Sequence, residues 1–185
     1  MNIDIATLSE AIAQSNAPGF DWVNFWGNMG GNIIAGIITG YLVTNYYRKK
    51  DDIREYSEKC FRICGIAMNL STIIDNAIAQ NTALGYSSLN EKILELNYLV
   101  RIPTSKYIKD EFVHQNVSKM REAICEASLA ATILKGRIEI REKKDSFYYQ
   151  NKSYHEDIIT KNFDILEGDS KKIFDLGIEL REHIN

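Results

Sequence analysis

The chain has 185 residues and a formal net charge of -3, which leaves room for one membrane helix and one soluble domain but not for two soluble domains. Asp4, Glu10 and Asp21 carry the whole acidic excess, because every Lys and Arg follows position 47 and the other 22 acids match 22 bases. That balance excludes a polybasic nucleic-acid surface and an acidic tail, so any contact with RNA has to be local.

Residues 3 to 12 place Ile3, Leu8 and Ile12 on one side of a short outer helix that ends near Pro18 and Gly19. From Trp22 to Tyr47 there are 26 residues without a charge. As a helix they reach roughly 39 Å, against about 30 Å for a hydrocarbon core, which predicts a transmembrane helix over 22–47. Its faces differ. Asn24, Asn28, Asn32, Gly36 and Gly40 recur every fourth residue, beside an apolar row of Phe25, Met29, Ile33, Ile37 and Tyr41. Arg48, Lys49, Lys50 and Arg54 follow the run directly, and only acids precede it. The positive-inside rule then puts residues 1–21 outside and residues 48–185 in the cytoplasm, with a single pass through the membrane. A cleaved signal peptide is the competing reading, but a basic n-region is missing, and Arg48 leads into helical pattern instead of a small-residue cleavage site.

Beyond Arg48 the period is helical. Ile53, Cys60, Ala67 and Ile74 interleave with Tyr56, Ile63, Leu70 and Ala77 as the two apolar positions of a heptad. With no intervening proline, one helix is expected to run from the membrane segment into this stretch. Gln80 to Ser87 reads as a loop around Gly85, and Ser88 with Glu91 forms a capping box for a short helix carrying Leu89, Ile93, Leu96 and Val100, which Pro103 ends. Thr104 is the expected N-cap of a second long helix, with Val113, Met120, Ala127 and Leu134 interleaved with Val117, Ile124, Ala131 and Ile138. A polar, tyrosine-rich turn over Asp145 to Tyr154 leads to a last helix with Ile159, Leu166, Ile173 and Leu180, its second apolar row weakened by Ser170 and Gly177 and its course open to a kink at Gly168. Since strand alternation is absent, the expected fold is all-α, an antiparallel bundle of about four helices after one N-terminal membrane helix.

The chemistry-bearing residues are few. Cys60, Cys64 and Cys125 belong to the segment expected to stay reduced, and Cys60 with Cys64 has no third and fourth ligand nearby, so core packing is favoured over a disulfide or a zinc site. No phosphate loop and no activated nucleophile is apparent, and neither metal nor cofactor is implied. Of His114, His155 and His183, His155 has the most polar setting, close to Tyr148, Tyr149, Gln150, Asn151 and Tyr154. The setting resembles the ribonuclease element of the HEPN superfamily, an Arg followed after four to six residues by a His. In that superfamily two such elements meet across a dimer, and the pair acts on the ribose 2'-hydroxyl and the phosphate without a metal. Here Gln150 stands where the Arg is expected; Arg137 and Arg141 are too far upstream to match, and His114 has Lys109 at that spacing. The resemblance implies a degenerate element of Gln150, Asn151 and His155 that binds or assembles without cutting, while a helix cap or surface packing explains His155 equally well.

Amides in lipid without partners cost several kcal/mol, so the Asn stripe demands other helices or water. Either Gly27, Gly31 and Ala35 let helices approach closely while the amides bond between them, or a ring of helices turns Asn24, Asn28 and Asn32 toward a lumen and packs through the small residues. Both require a homo-oligomer. One membrane helix, a helical bundle and an imperfect His element together look like the membrane accessory proteins of type VI-B CRISPR systems. That resemblance implies a ring-shaped pore in membrane lipid that depolarises the inner membrane in antiviral defence, with an RNA-guided RNA nuclease as functional partner and no enzymatic activity. The alternatives are a one-span effector that binds a cyclic oligonucleotide messenger, for which Arg101, Lys106, Tyr107 and Lys109 are the nearest cluster, and a non-conducting membrane scaffold.

Overall fold

The computed structural model describes residues 21–143 and 146–185. The outer helix expected over residues 3–12 and Asp145 of the expected turn lie outside them. The described elements are helices: α1 (Trp22–Gln80), α2 (Ala83–Leu99), α3 (Glu111–Glu142), α4 (Ser146–Gln150) and α5 (Lys152–Ile184). The chain divides into two compact units, Met1–Lys50 and Asp51–Asn185.

In the first unit the uncharged run is helical from Trp22, and Asp21 starts it by accepting the Asn24 backbone N–H at 3.0 Å. Residues 31 to 50 are all exposed. Among the described residues no helix is long and apolar enough to cross a membrane. The expected membrane helix over 22–47 rested on the absence of charge; Asn28, Asn32, Asn45 and the glycines dilute its apolarity below what a solitary span needs.

The second unit is an antiparallel bundle. Glu142 of α3 accepts the Ala83 N–H at the start of α2, while Ser128 bonds Asn90 further along both helices. Between α3 and α5, Asn116 meets Glu179 and Arg137 meets His155. Ser71 and Asp75 of α1 meet Ser170 of α5. For α2 with α3 and for α3 with α5 one number rises as the other falls, which is the signature of antiparallel neighbours. The core includes the expected heptad positions from Tyr56 to Ala77, Leu89, Ile93 and Leu96 of α2 with Val100 after it, the positions of α3 from Val113 to Ile138, and Ile159, Leu166, Ile173 and Leu180 of α5. Ile53 departs from the pattern and is exposed.

Three boundaries differ from the sequence reading. Helix α2 starts at Ala83, so the loop expected over residues 80–87 shrinks to a sharp turn. Asn81 takes a left-handed φ of 46° and Thr82 caps the helix, its hydroxyl accepting the Gly85 N–H at 3.1 Å. The Ser88–Glu91 capping box therefore lies inside a helix. Helix α3 starts at Glu111 rather than after Thr104, with Asp110 as its cap to the Val113 N–H at 3.1 Å. The intervening loop is held by Ser105, whose hydroxyl donates to Asp52 and accepts the N–H groups of Tyr107 and Ile108. The tyrosine-rich turn contains the short α4.

The α5 helix runs through Gly168 without a break. Gly177, which looks like a gap in the apolar row, sits where a Cβ would come within 2.9 Å of the Ala67 Cβ and 3.6 Å of the Cys64 carbonyl oxygen. A missing side chain there lets α5 close on α1.

Candidate functional site

Two regions hold the residues singled out from the sequence. Asn24, Asn28, Asn32, Gly36 and Gly40 all lie on α1, as do Gly27, Gly31 and Ala35. A step of four residues advances roughly 40° around a helix of 3.6 residues per turn. The five-residue row therefore spirals, so that Asn24, Asn28 and Asn32 share one side and Gly40 has moved well around from it. Gly27, Gly31 and Ala35 flank the amides. A Cβ at Gly27, Gly31, Gly36 or Gly40 would meet nothing within 4 Å. Asn24 differs from its companions, because its amide donates to the Asp21 carboxylate at 2.8 Å. This fixes Asn24 at the helix entrance. The opposite side carries Ile33, Ile37 and Tyr41, exposed to 48%, 67% and 70%.

The second region is the end of the bundle where α3 finishes and α5 begins. His155 lies in the first turn of α5 and is completely buried. Its Nδ1 is 3.0 Å from Nη1 of Arg137 on α3. A guanidinium can only donate, so Nδ1 is the acceptor in this bond. Tyr148 tilts over the ring at 5.5 Å, Tyr154 meets it edge-on at 5.8 Å, and the Arg137 guanidinium lies 5.6 Å from the Tyr154 ring. The Tyr148 hydroxyl donates to Glu156, and that bond together with burial raises its pKa. Arg141, one turn beyond Arg137, reaches the Asn81 carbonyl and side-chain oxygens at 3.5 and 3.4 Å. Burial pushes the Tyr86 phenol up to about 12, against the opposing charge of Arg141.

Of the expected element of Gln150, Asn151 and His155, only His155 is buried. Gln150 and Asn151 are exposed, and the cation beside the ring is Arg137, which sequence spacing had set aside. The signal was the hairpin. Arg137 and His155 lie nine residues either side of Ser146, so helices reversing there come level at these two positions. His155 is an interior residue of the bundle, not a surface cap.

The chain matches no protein-family model, no curated protein and no solved structure. Its chemistry has to be argued from its own residues. Among the described residues, acids, histidines and cysteines form no cluster able to hold a metal ion. Cys60 and Cys64 are buried in the core; burial raises both thiol pKa values, that of Cys60 to about 11, which keeps them protonated and unreactive. The second buried titratable site is Asp169 on α5, raised to about 6 by burial and by the Glu126 carboxylate, and opposed by Lys172. Arg101, Lys106, Tyr107 and Lys109 lie along the loop between α2 and α3, where the Arg101 guanidinium covers the Tyr98 ring at 4.3 Å and the Lys106 ammonium is 5.7 Å from the Tyr107 ring.

Proposed function

We propose that this chain is the subunit of a homo-oligomeric membrane pore, assembled through the uncharged part of α1. The observation that supports this reading is a helix segment of 26 uncharged residues whose isoleucines, leucine and valine between positions 33 and 43 are all exposed. Exposed apolar surface on this scale calls for lipid or further copies of the helix. The hydropathy that is too low for a solitary span suits a helix that enters lipid only as part of a ring. Asn28 and Asn32 would face a watery lumen, Gly27, Gly31 and Ala35 would pack neighbour to neighbour, and Ile33 and Ile37 would meet lipid. In the setting that the resemblance implies, such a ring depolarises the inner membrane when an RNA-guided RNA nuclease is engaged, with the bundle on the cytoplasmic side.

The proposal is non-enzymatic. A general base must reach the proton it abstracts, and His155 is buried with Nδ1 already accepting from Arg137. RNA cleavage by the purified chain that disappears in His155→Ala would overturn this part.

Reconstitution into liposomes tests the main claim. Ion flux should appear with the wild type and drop sharply with Asn28→Leu; flux unchanged by Asn28→Leu would remove the lining. The mass of the detergent-solubilised particle is the companion measurement, since a monomer excludes any ring. The low average apolarity of α1 favours a second reading, a non-conducting scaffold assembled through the same helices. A large particle that never conducts would select it.

A further inference from the structure

A concavity of about 430 Å³ opens between the bundle part of α1, the end of α2 and the loop that follows, and we propose that it binds a nucleoside phosphate. Lys59 and Arg62 of α1 and Arg101 of the loop line it, along with Tyr98, Pro103 and Thr104. None of its lining residues is acidic. This is unusual for a balanced chain, and the other large concavity of the bundle, about 650 Å³, is lined by Asp75, Asp164 and Glu167 against the single cation Lys171.

The cations differ in how far they are committed. Lys59 holds Glu55 at 2.7 Å. Arg101 is held by its own backbone: its Nε donates to the Tyr98 carbonyl at 3.2 Å, and its guanidinium carbon lies 4.3 Å from the Tyr98 ring centroid. Its terminal nitrogens keep donors to spare. No carboxylate lies within ion-pair distance of Arg62 or Arg101 among the described residues.

Planar donors of this kind suit phosphate oxygens. Tyr98 is 68% exposed, with the Arg101 guanidinium over one face of its ring. An exposed ring beside two guanidinium groups that hold no carboxylate is the pairing that binds a base and its phosphate together. Lys106 and Tyr107 repeat it further along the same loop. The volume is in the range of small-ligand sites. The base would stack on Tyr98, and the phosphate would sit between Arg62 and Arg101.

Full-length protein in a neutral maltoside detergent provides the test, with inorganic phosphate, adenosine 5'-monophosphate and a five-nucleotide oligoadenylate as probes in calorimetric titrations. The monophosphate should bind, and Arg62→Ala and Arg101→Ala should each weaken it about tenfold or more. Tyr98→Leu should weaken the monophosphate at least about fivefold while leaving inorganic phosphate unchanged. All three positions are exposed, so unfolding does not confuse the result, and Lys161→Ala on α5 is the control that should change nothing. Equal affinity for monophosphate and oligoadenylate identifies a free nucleotide as ligand, and oligoadenylate binding more than tenfold tighter identifies a strand. Absence of monophosphate binding at millimolar concentration, equal binding by the Arg62→Ala/Arg101→Ala double variant, or equal loss in Lys161→Ala would overturn the site. Binding of inorganic phosphate as tight as the monophosphate, with no effect of Tyr98→Leu, would overturn the nucleoside.

Discussion

The two parts of α1 use the same backbone for opposite purposes. After Asp51, apolar residues fall on heptad positions and are buried; Cys60, Ala67, Leu70 and Ile74 expose nothing. Before Lys50 apolar residues are as frequent, yet Ile34, Ile37 and Leu42 are each at least 60% exposed. Helix formation therefore says little about what a segment is for. A heptad row identifies the partner as protein of matching period, whereas an apolar face opposite amides and glycines leaves the partner to be supplied from outside the protomer.

The comparison breaks most visibly on truncation of one side chain from each part. Leu70→Ala empties a fully buried position and should lower the unfolding free energy of the bundle by about 2–5 kcal/mol. Ile37→Ala should leave it within about 0.5 kcal/mol. Chemical denaturation followed by circular dichroism measures both, and a large loss from Ile37→Ala would overturn the contrast.

The pH dependence of the bundle should be dominated by Asp169. Its folded pKa of about 6 lies above the ordinary 3.8, so the folded state holds the proton more tightly than the unfolded chain. The contribution is fully present below pH 3.8 and is lost as pH rises to about 6, on the order of 2–3 kcal/mol by linkage. Melting curves between pH 4 and 7 should show that fall in the wild type and not in Asp169→Asn. Glu126 and Lys172 are the charged groups that act on it.

Smaller effects refine the bundle side. Asp110→Ala removes the α3 cap and the 2.8 Å contact with His183, and should cost about 1 kcal/mol in the same denaturation assay. The smallest and opposite effect is expected from Tyr86→Phe. The Tyr86 hydroxyl is buried without a hydrogen-bond partner among the described residues, so its removal should be neutral or stabilising by up to about 1 kcal/mol.

Periodicity made the bundle legible because burial follows spacing directly, as the core positions of α3 from Val113 to Ile138 demonstrate. Helix starts were less legible. Thr82 and Asp110 are good caps, but Ser88 and Thr104 are equally good by residue type, and only the left-handed Asn81 and the bonds made by Ser105 decide between them. The site was half legible. His155 stood out by its polar neighbours, whereas Arg137 belongs to another helix and becomes its partner only when the hairpin closes. The groove of Arg62, Tyr98 and Arg101 draws on two helices and a loop, so no single window of sequence contains it.

The close approach of α5 to α1 at Gly177 has a consequence for how this chain can diverge. Gly168 and Gly177 lie on one helix, but a Cβ at position 168 would meet nothing while one at 177 would strike Ala67. A library covering both positions should accept most residues at 168, with alanine favoured by helix propensity. At 177 it should return glycine almost alone unless position 67 shrinks in the same clone. Descendants of this sequence would then carry 67 and 177 as a linked pair, a record of the crossing that could be read without any structure.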